Sequence, residues 1–158
     1  MPVPPRQHTP ALLQVDAILL RLSGASAIDE VCRYVGAELP QFATLAAYRT
    51  DGTTLHRLTN AEGEGDPAAT RPATEGAAGR CLAEQRSAIG SGPPPSGGEA
   101  PSEIAVPVLD GGRAIGVLVA ASRFSRSYDA TDVRFLEQVA GKLRAPVVAA
   151  SAASASTA

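Results

Sequence analysis

Ser102–Ser122 reads SEIAVPVLDGGRAIGVLVAAS, two short apolar runs joined by a tight polar turn, and it predicts a β-hairpin. In the first run Ile104, Val106 and Val108 point to one side and Ala105, Pro107 and Leu109 to the other, the period-two signature of a strand. Asp110-Gly111-Gly112 supplies residues that tolerate the positive φ of a hairpin turn. The second run, Ala114–Ala121, is apolar on both faces, which predicts a strand covered on both sides in the middle of a sheet. Pro107 has no N–H to give a ladder, so the first strand should have an open edge or a bulge there.

Upstream, Phe42–Tyr48 alternates, Asp51-Gly52 turns and Thr53–Leu58 is rich in β-formers, which predicts another hairpin. Thr59–Thr74 is acidic, glycine-containing and broken by proline, and Gly90–Pro101 reads GSGPPPSGGEAP; both are expected to be loops. Between them the run GAAGRCLAE from Gly76 predicts a short helix, followed by a brief strand at Ser87–Ile89.

Helices bracket this region. Thr9 as N-cap and Pro10 in the first turn open one whose apolar positions are Leu12, Val15, Leu19 and Leu22, with Gly24 as its stop. Ser26 with Asp29 caps a second, buried along Ile28, Val31, Cys32 and Val35. Asp129 with Asp132 opens the last, striped by Val133, Leu136, Ala140, Leu143 and Val147, and Pro146 should kink or end it. Residues 1–8 are expected to be a disordered lead-in, 9–150 one domain, and 151–158 a disordered Ser/Ala tail.

With 158 residues, 44% of them hydrophobic, the chain suffices for one core. A net charge of −2 leaves no basic excess for nucleic acid. No apolar run reaches the length of a bilayer span, so a soluble, cytoplasmic protein is expected, without membrane contact. The two cysteines, Cys32 and Cys81, have neither metal-ligand spacing nor a histidine cluster beside them. His56 reads as an exposed strand residue, and His8 falls in the lead-in.

The order S-E-I-A-V-P, turn, A-I-G-V-L, then a capped helix resembles the C-terminal half of a GAF domain, and G-A-A-G-R resembles that family's G-x-x-G-basic helix start. The resemblance covers about Leu12 to Val148. It implies an α/β (α+β) fold with a central antiparallel sheet, terminal helices packed on one face, and loops plus one short helix on the other. It also implies sensing of a small molecule, with the two loops as a mobile lid. Ligand and cofactor stay unknown.

Five residues are candidates for ligand contact. Glu103 resembles the S-E-I glutamate that in free methionine sulfoxide reductases, a catalytic branch of GAF-like proteins, contacts the substrate's amino group; Ser102 precedes it. The alternative is that both merely open the strand. The cysteines that branch needs between Gln85 and Ser102 are absent, and Val119 and Ala121 stand where it carries acids, which argues against an enzyme of that kind. Cys81, beside Arg80 at a helix start, is either a lowered-pKa thiol or a buried one. Arg80 could meet an anion there or simply be solvated. Tyr48 could turn its hydroxyl into a pocket or pack. Broad stripes on the first and last helices predict a homodimer through them, or else cover the sheet alone. The reading is a non-enzymatic small-molecule sensor that signals through a partner protein. The alternatives are a ligand-free dimerisation or adaptor module and, less favoured, a thiol redox enzyme.

Overall fold

The computed structural model describes residues 5–59, 70–91, 102–122 and 128–156. The two expected lid segments therefore lie largely outside the described residues, at 60–69 and 92–101. In chain order the elements are α1 (Pro5–Arg21), α2 (Gly24–Glu38), a 3-10 turn (Pro40–Phe42), β1 (Ala46–Thr50), β2 (Thr54–Arg57), β3 (Thr70–Pro72), α3 (Gly76–Glu84), β4 (Ala88–Ser91), β5 (Ser102–Asp110), β6 (Arg113–Ser122), α4 (Ala130–Lys142) and α5 (Arg144–Ser156). The six strands form one antiparallel sheet in the order β3-β2-β1-β6-β5-β4.

β5 and β6 are its axis, as the apolar runs predict. Gly111 and Gly112 close their hairpin with φ of 62° and 81°, a two-residue turn in the left-handed region that non-glycine residues resist. β6 lies between β1 and β5 with a core cluster on each side of it, which is why both its faces are apolar. β4 pairs with β5 only as far as Ala105, so Pro107 faces no strand on that side; a bulge follows, where Val108 pairs with Gly116 but Leu109 with Ala114.

The pleat sends Ala47, Ile104, Val106, Val108, Leu118 and Ala120 to one face, where α1, α2, α4 and α5 cover them. Phe42, Phe135 and Tyr128 stack there, with centroids 5.6 and 6.0 Å from Phe42. The opposite face carries Ala46, Tyr48, Leu55, Ala105, Val117 and Val119, covered among the described residues by α3 through Ala77, Ala78 and Cys81.

The structure corrects the reading at element ends. α1 starts at Pro5, so Pro10 lies inside it, and His8, expected in a disordered lead-in, is buried with its ring 4.6 Å from Phe135. α2 is preceded by Ser23, not Ser26, and Asp29 pairs with Arg33 at 2.6 Å, one turn on, instead of capping. Phe42 belongs to a 3-10 turn, since Pro40 suits the first position of a helical turn, and β1 begins only at Ala46. Thr70–Pro72, read as loop, is an edge strand on β2. The Asp129–Asp132 capping box is present in full, but the chain breaks at Leu143. Pro146 then sits in the first turn of α5, where its missing N–H is harmless, and alanine carries the helix to Ser156, into the expected tail. Of the two stripes, that of α4 is buried against the sheet side, whereas α1 leaves Leu13 and Leu20 exposed, by 64% and 89%. No helix among the described residues is long and apolar enough to cross a membrane.

Candidate functional site

The α3 face holds a buried ion pair. Odd-numbered β5 positions face α3, so Glu103 lies in the same row as Ala105, and it is only 2% exposed. Arg71 of β3 meets it as a two-pronged fork, Nη1 donating to Oε1 at 2.7 Å and Nη2 to Oε2 at 3.2 Å. Oε2 also accepts the backbone N–H groups of Ala77 and Ala78, at 3.0 and 3.4 Å, in the first turn of α3. One carboxylate thus ties an edge strand, a central strand and a helix start together. The Nε of Arg71 is buried without a partner.

Small residues let α3 come this close. A Cβ on Gly79 would lie 2.4 Å from the carbonyl carbon of Thr74, so the chain before the helix packs directly on its backbone. Cys81, on the sheet-facing side of this helix, is fully buried, and burial pushes its thiol up to about 12; Cys32 is raised to the same value, by burial and then by Asp29. Tyr48, 2% exposed in the middle of β1, has its phenol raised by burial, against the opposing pull of Arg71 and Arg57.

Of the five candidates, Tyr48, Cys81 and Glu103 therefore come together on the α3 face. Ser102 is half-buried at the head of β5, opposite Ser91 and Ser122. Arg80 is exposed and donates to the Ile89 carbonyl. The partner that decides Glu103's surroundings, Arg71, has no signal in the sequence beyond a lone arginine before a proline, in a segment whose composition is that of a loop.

A groove of about 1050 Å³ opens beside this packing, at the ends of the strands. Its walls are the β1–β2 turn with Arg49, Asp51 and Gly52, the start of α3 with Thr74, Gly76 and Arg80, the hairpin tip with Asp110 and Arg113, and Val148 and Ser151 of α5. Asp51 is held well below the usual carboxylate range, first by His56 (Nε2 to Oδ2, 2.9 Å), then by the backbone N–H groups of Thr53 and Thr54 at 3.0 and 2.8 Å. Asp110 accepts from Arg144 at 3.0 Å, which fastens the hairpin tip to α5. No cluster of metal-ligating side chains occurs among the described residues.

Solved structures share this architecture. The GAF domain of a phosphoenolpyruvate-protein phosphotransferase from Coxiella burnetii superposes with a TM-score of 0.78 at 15% identity, covering 97% of this chain and 99% of that one. The free methionine-R-sulfoxide reductase of Neisseria meningitidis, in complex with its substrate, gives 0.75 at 19% identity, covering 97% and 95%. The corresponding Staphylococcus aureus protein, also with its substrate, gives 0.71 at 19%, covering 89% and 95%. No curated protein matches the sequence. At these identities the likeness speaks for the fold alone, but the family model described as GAF domain matches residues 25–144, and the chain belongs to the GAF domain family.

Proposed function

We propose that this GAF domain is a non-enzymatic sensor that binds a small molecule in the strand-end groove and signals through a partner protein. A GAF fold supports a sensory or regulatory role. The observation that carries the reading is that one groove is walled by both the α3 segment and α5. An occupant would touch the terminal helix directly, and the Arg144–Asp110 tie couples that helix to the hairpin tip. Binding would favour one placement of α5 over another, the differential contact a signal requires. By contrast, Glu103 is saturated by Arg71 and two amides, so we assign it to holding α3 rather than to the ligand. Cys81, sealed and with its thiol raised, favours this reading over thiol redox catalysis.

A thermal-shift screen against nucleotides, amino acids, tetrapyrroles, carboxylic acids and fatty acids tests the proposal, with mass followed by light scattering. A ligand at a hundredfold excess over its dissociation constant adds about 2.7 kcal/mol. A dose-dependent shift lost on Ala83→Trp, a bulky block on the groove wall supplied by α3, supports it; no shift from any class overturns it. The second reading, a ligand-free adaptor or homodimer through the terminal helices, is favoured by the exposed Leu13 and Leu20, one face of α1 seven residues apart. It predicts a dimeric mass that Leu20→Ser reduces to a monomer.

A further inference from the structure

We infer that the groove's ligand is a small, multiply charged oxyanion, held by Arg49, Arg80 and Arg113. This rests on the reading of the groove as the ligand site and names the chemistry that site selects. Arg49, Arg80 and Arg113 come from three separate elements, β1, α3 and β6, and all three residues line one concavity. None has a carboxylate partner among the described residues, whereas Arg33, Arg71, Arg86, Lys142 and Arg144 each do. Arg21 and Arg134 also lack one, but they stand on α1 and α4, outside the groove.

The groove's own carboxylates do not cancel this charge. Asp110 is paired with Arg144, and Asp51, ionised and bonded to His56 and its own turn, is a single negative charge against three arginines. The result is a local positive excess on a chain whose net charge is −2. Arginine forks favour phosphate and carboxylate oxygens, to which they donate in pairs. Arg80 spends one donor on the Ile89 carbonyl, itself outside the groove's lining, so its part is positive charge at the groove wall, and the forks are those of Arg49 and Arg113. Leu82, Ile115 and Val148 add apolar wall, so an anion attached to an apolar body fits better than a bare ion. The volume, about 1050 Å³, is of the size of small-molecule clefts rather than of a macromolecular interface.

Titration with inorganic pyrophosphate and, separately, with citrate, followed by backbone amide NMR shifts, tests the inference and separates phosphate from carboxylate chemistry. Shifts should concentrate at Arg49–Gly52, Thr74–Arg80 and Gly111–Ala114, and fade as salt rises. Arg49→Gln and Arg113→Gln should each weaken binding about tenfold, as loss of a charge-assisted contact does. Arg134→Gln, on α4, should leave binding unchanged. Equal affinity in the Arg49→Gln, Arg113→Gln double variant, or shifts away from these segments, overturns the inference. An uncharged compound that fills the groove when neither oxyanion does would overturn it too, while leaving the ligand-binding reading standing. A groove that takes nothing of any class overturns both.

Discussion

The two faces of the sheet are held by different physics. On the helical face, four helices bury leucine, isoleucine, valine and three stacked rings, and the cohesion is dispersed over many large side chains. On the other face one nine-residue helix covers mostly alanines and valines, with Tyr48 and Leu55 as the large side chains, and the Arg71–Glu103 pair with two amide bonds adds to them a tie concentrated at one buried charge. A dispersed core tolerates local change and stays rigid. A face held at one buried charge can be released at one point.

The largest effects should break the faces in distinguishable ways. Phe135→Ala, a cavity in the ring stack, should cost about 3–5 kcal/mol in urea unfolding. Arg71→Ala should cost about the same, 3–5 kcal/mol, because it strands a carboxylate that is 2% exposed. Only the second should be recoverable. In the double variant Arg71→Met, Glu103→Leu the charge and its need disappear together, and most of the loss should return. If the double variant stays as unstable as the single, the pair acts through shape and the contrast between the faces fails.

Next in size, Gly79→Ala should cost about 1–3 kcal/mol, because the new methyl meets the backbone of Thr74, which cannot step aside. Gly141→Ala, on the exposed side of α4 with nothing within 4 Å, should gain about 0.5–1 kcal/mol. An equal response at both glycines would mean that α3 is not packed closely. Asp129→Ala should remove about 1 kcal/mol through the lost α4 capping box, with no effect on the α3 face.

The smallest effect is one of pH, confined to the helical face. His8 has its pKa lowered from 6.5 by burial, against the partial opposition of Asp132 and then Asp129. Its neutral form is therefore the one the fold accepts. Its contribution is fully present above the unfolded value near 6.5 and is lost as pH falls from there toward the lower folded value. His8→Gln should flatten that part of the stability profile, and an unchanged profile would exclude the histidine as its cause.

The hairpin, the central place of β6 and the capped α4 were legible because each is written in consecutive residues: alternation, two glycines, an Asp pair three apart. Helix ends were less so, since Ser23 and Ser26 offer the same chemistry and packing chooses between them. Tyr48, Cys81 and Glu103 could be singled out, but their common face depends on strand register between distant segments. The signal for Arg71 is weaker still. A three-residue edge strand has no periodicity, and its reason to exist is a carboxylate 32 positions away. The groove is a property of element ends, and Arg49 and Arg113 read as ordinary strand-end residues until the fold brings them to one concavity.

The break at Leu143 makes α5 a helix separate from α4. Any structure joined beyond Ser156 as continuous helix would take its rotational phase from α5. At 3.6 residues per turn, one inserted residue would swing it by about 100°, and two would carry it past the far side of the axis. The Arg144–Asp110 tie then works like an index mark on a dial, setting the zero from which that angle is counted. Joint length, in steps of single residues, is therefore a way to tune or invert an output without altering any residue of the groove.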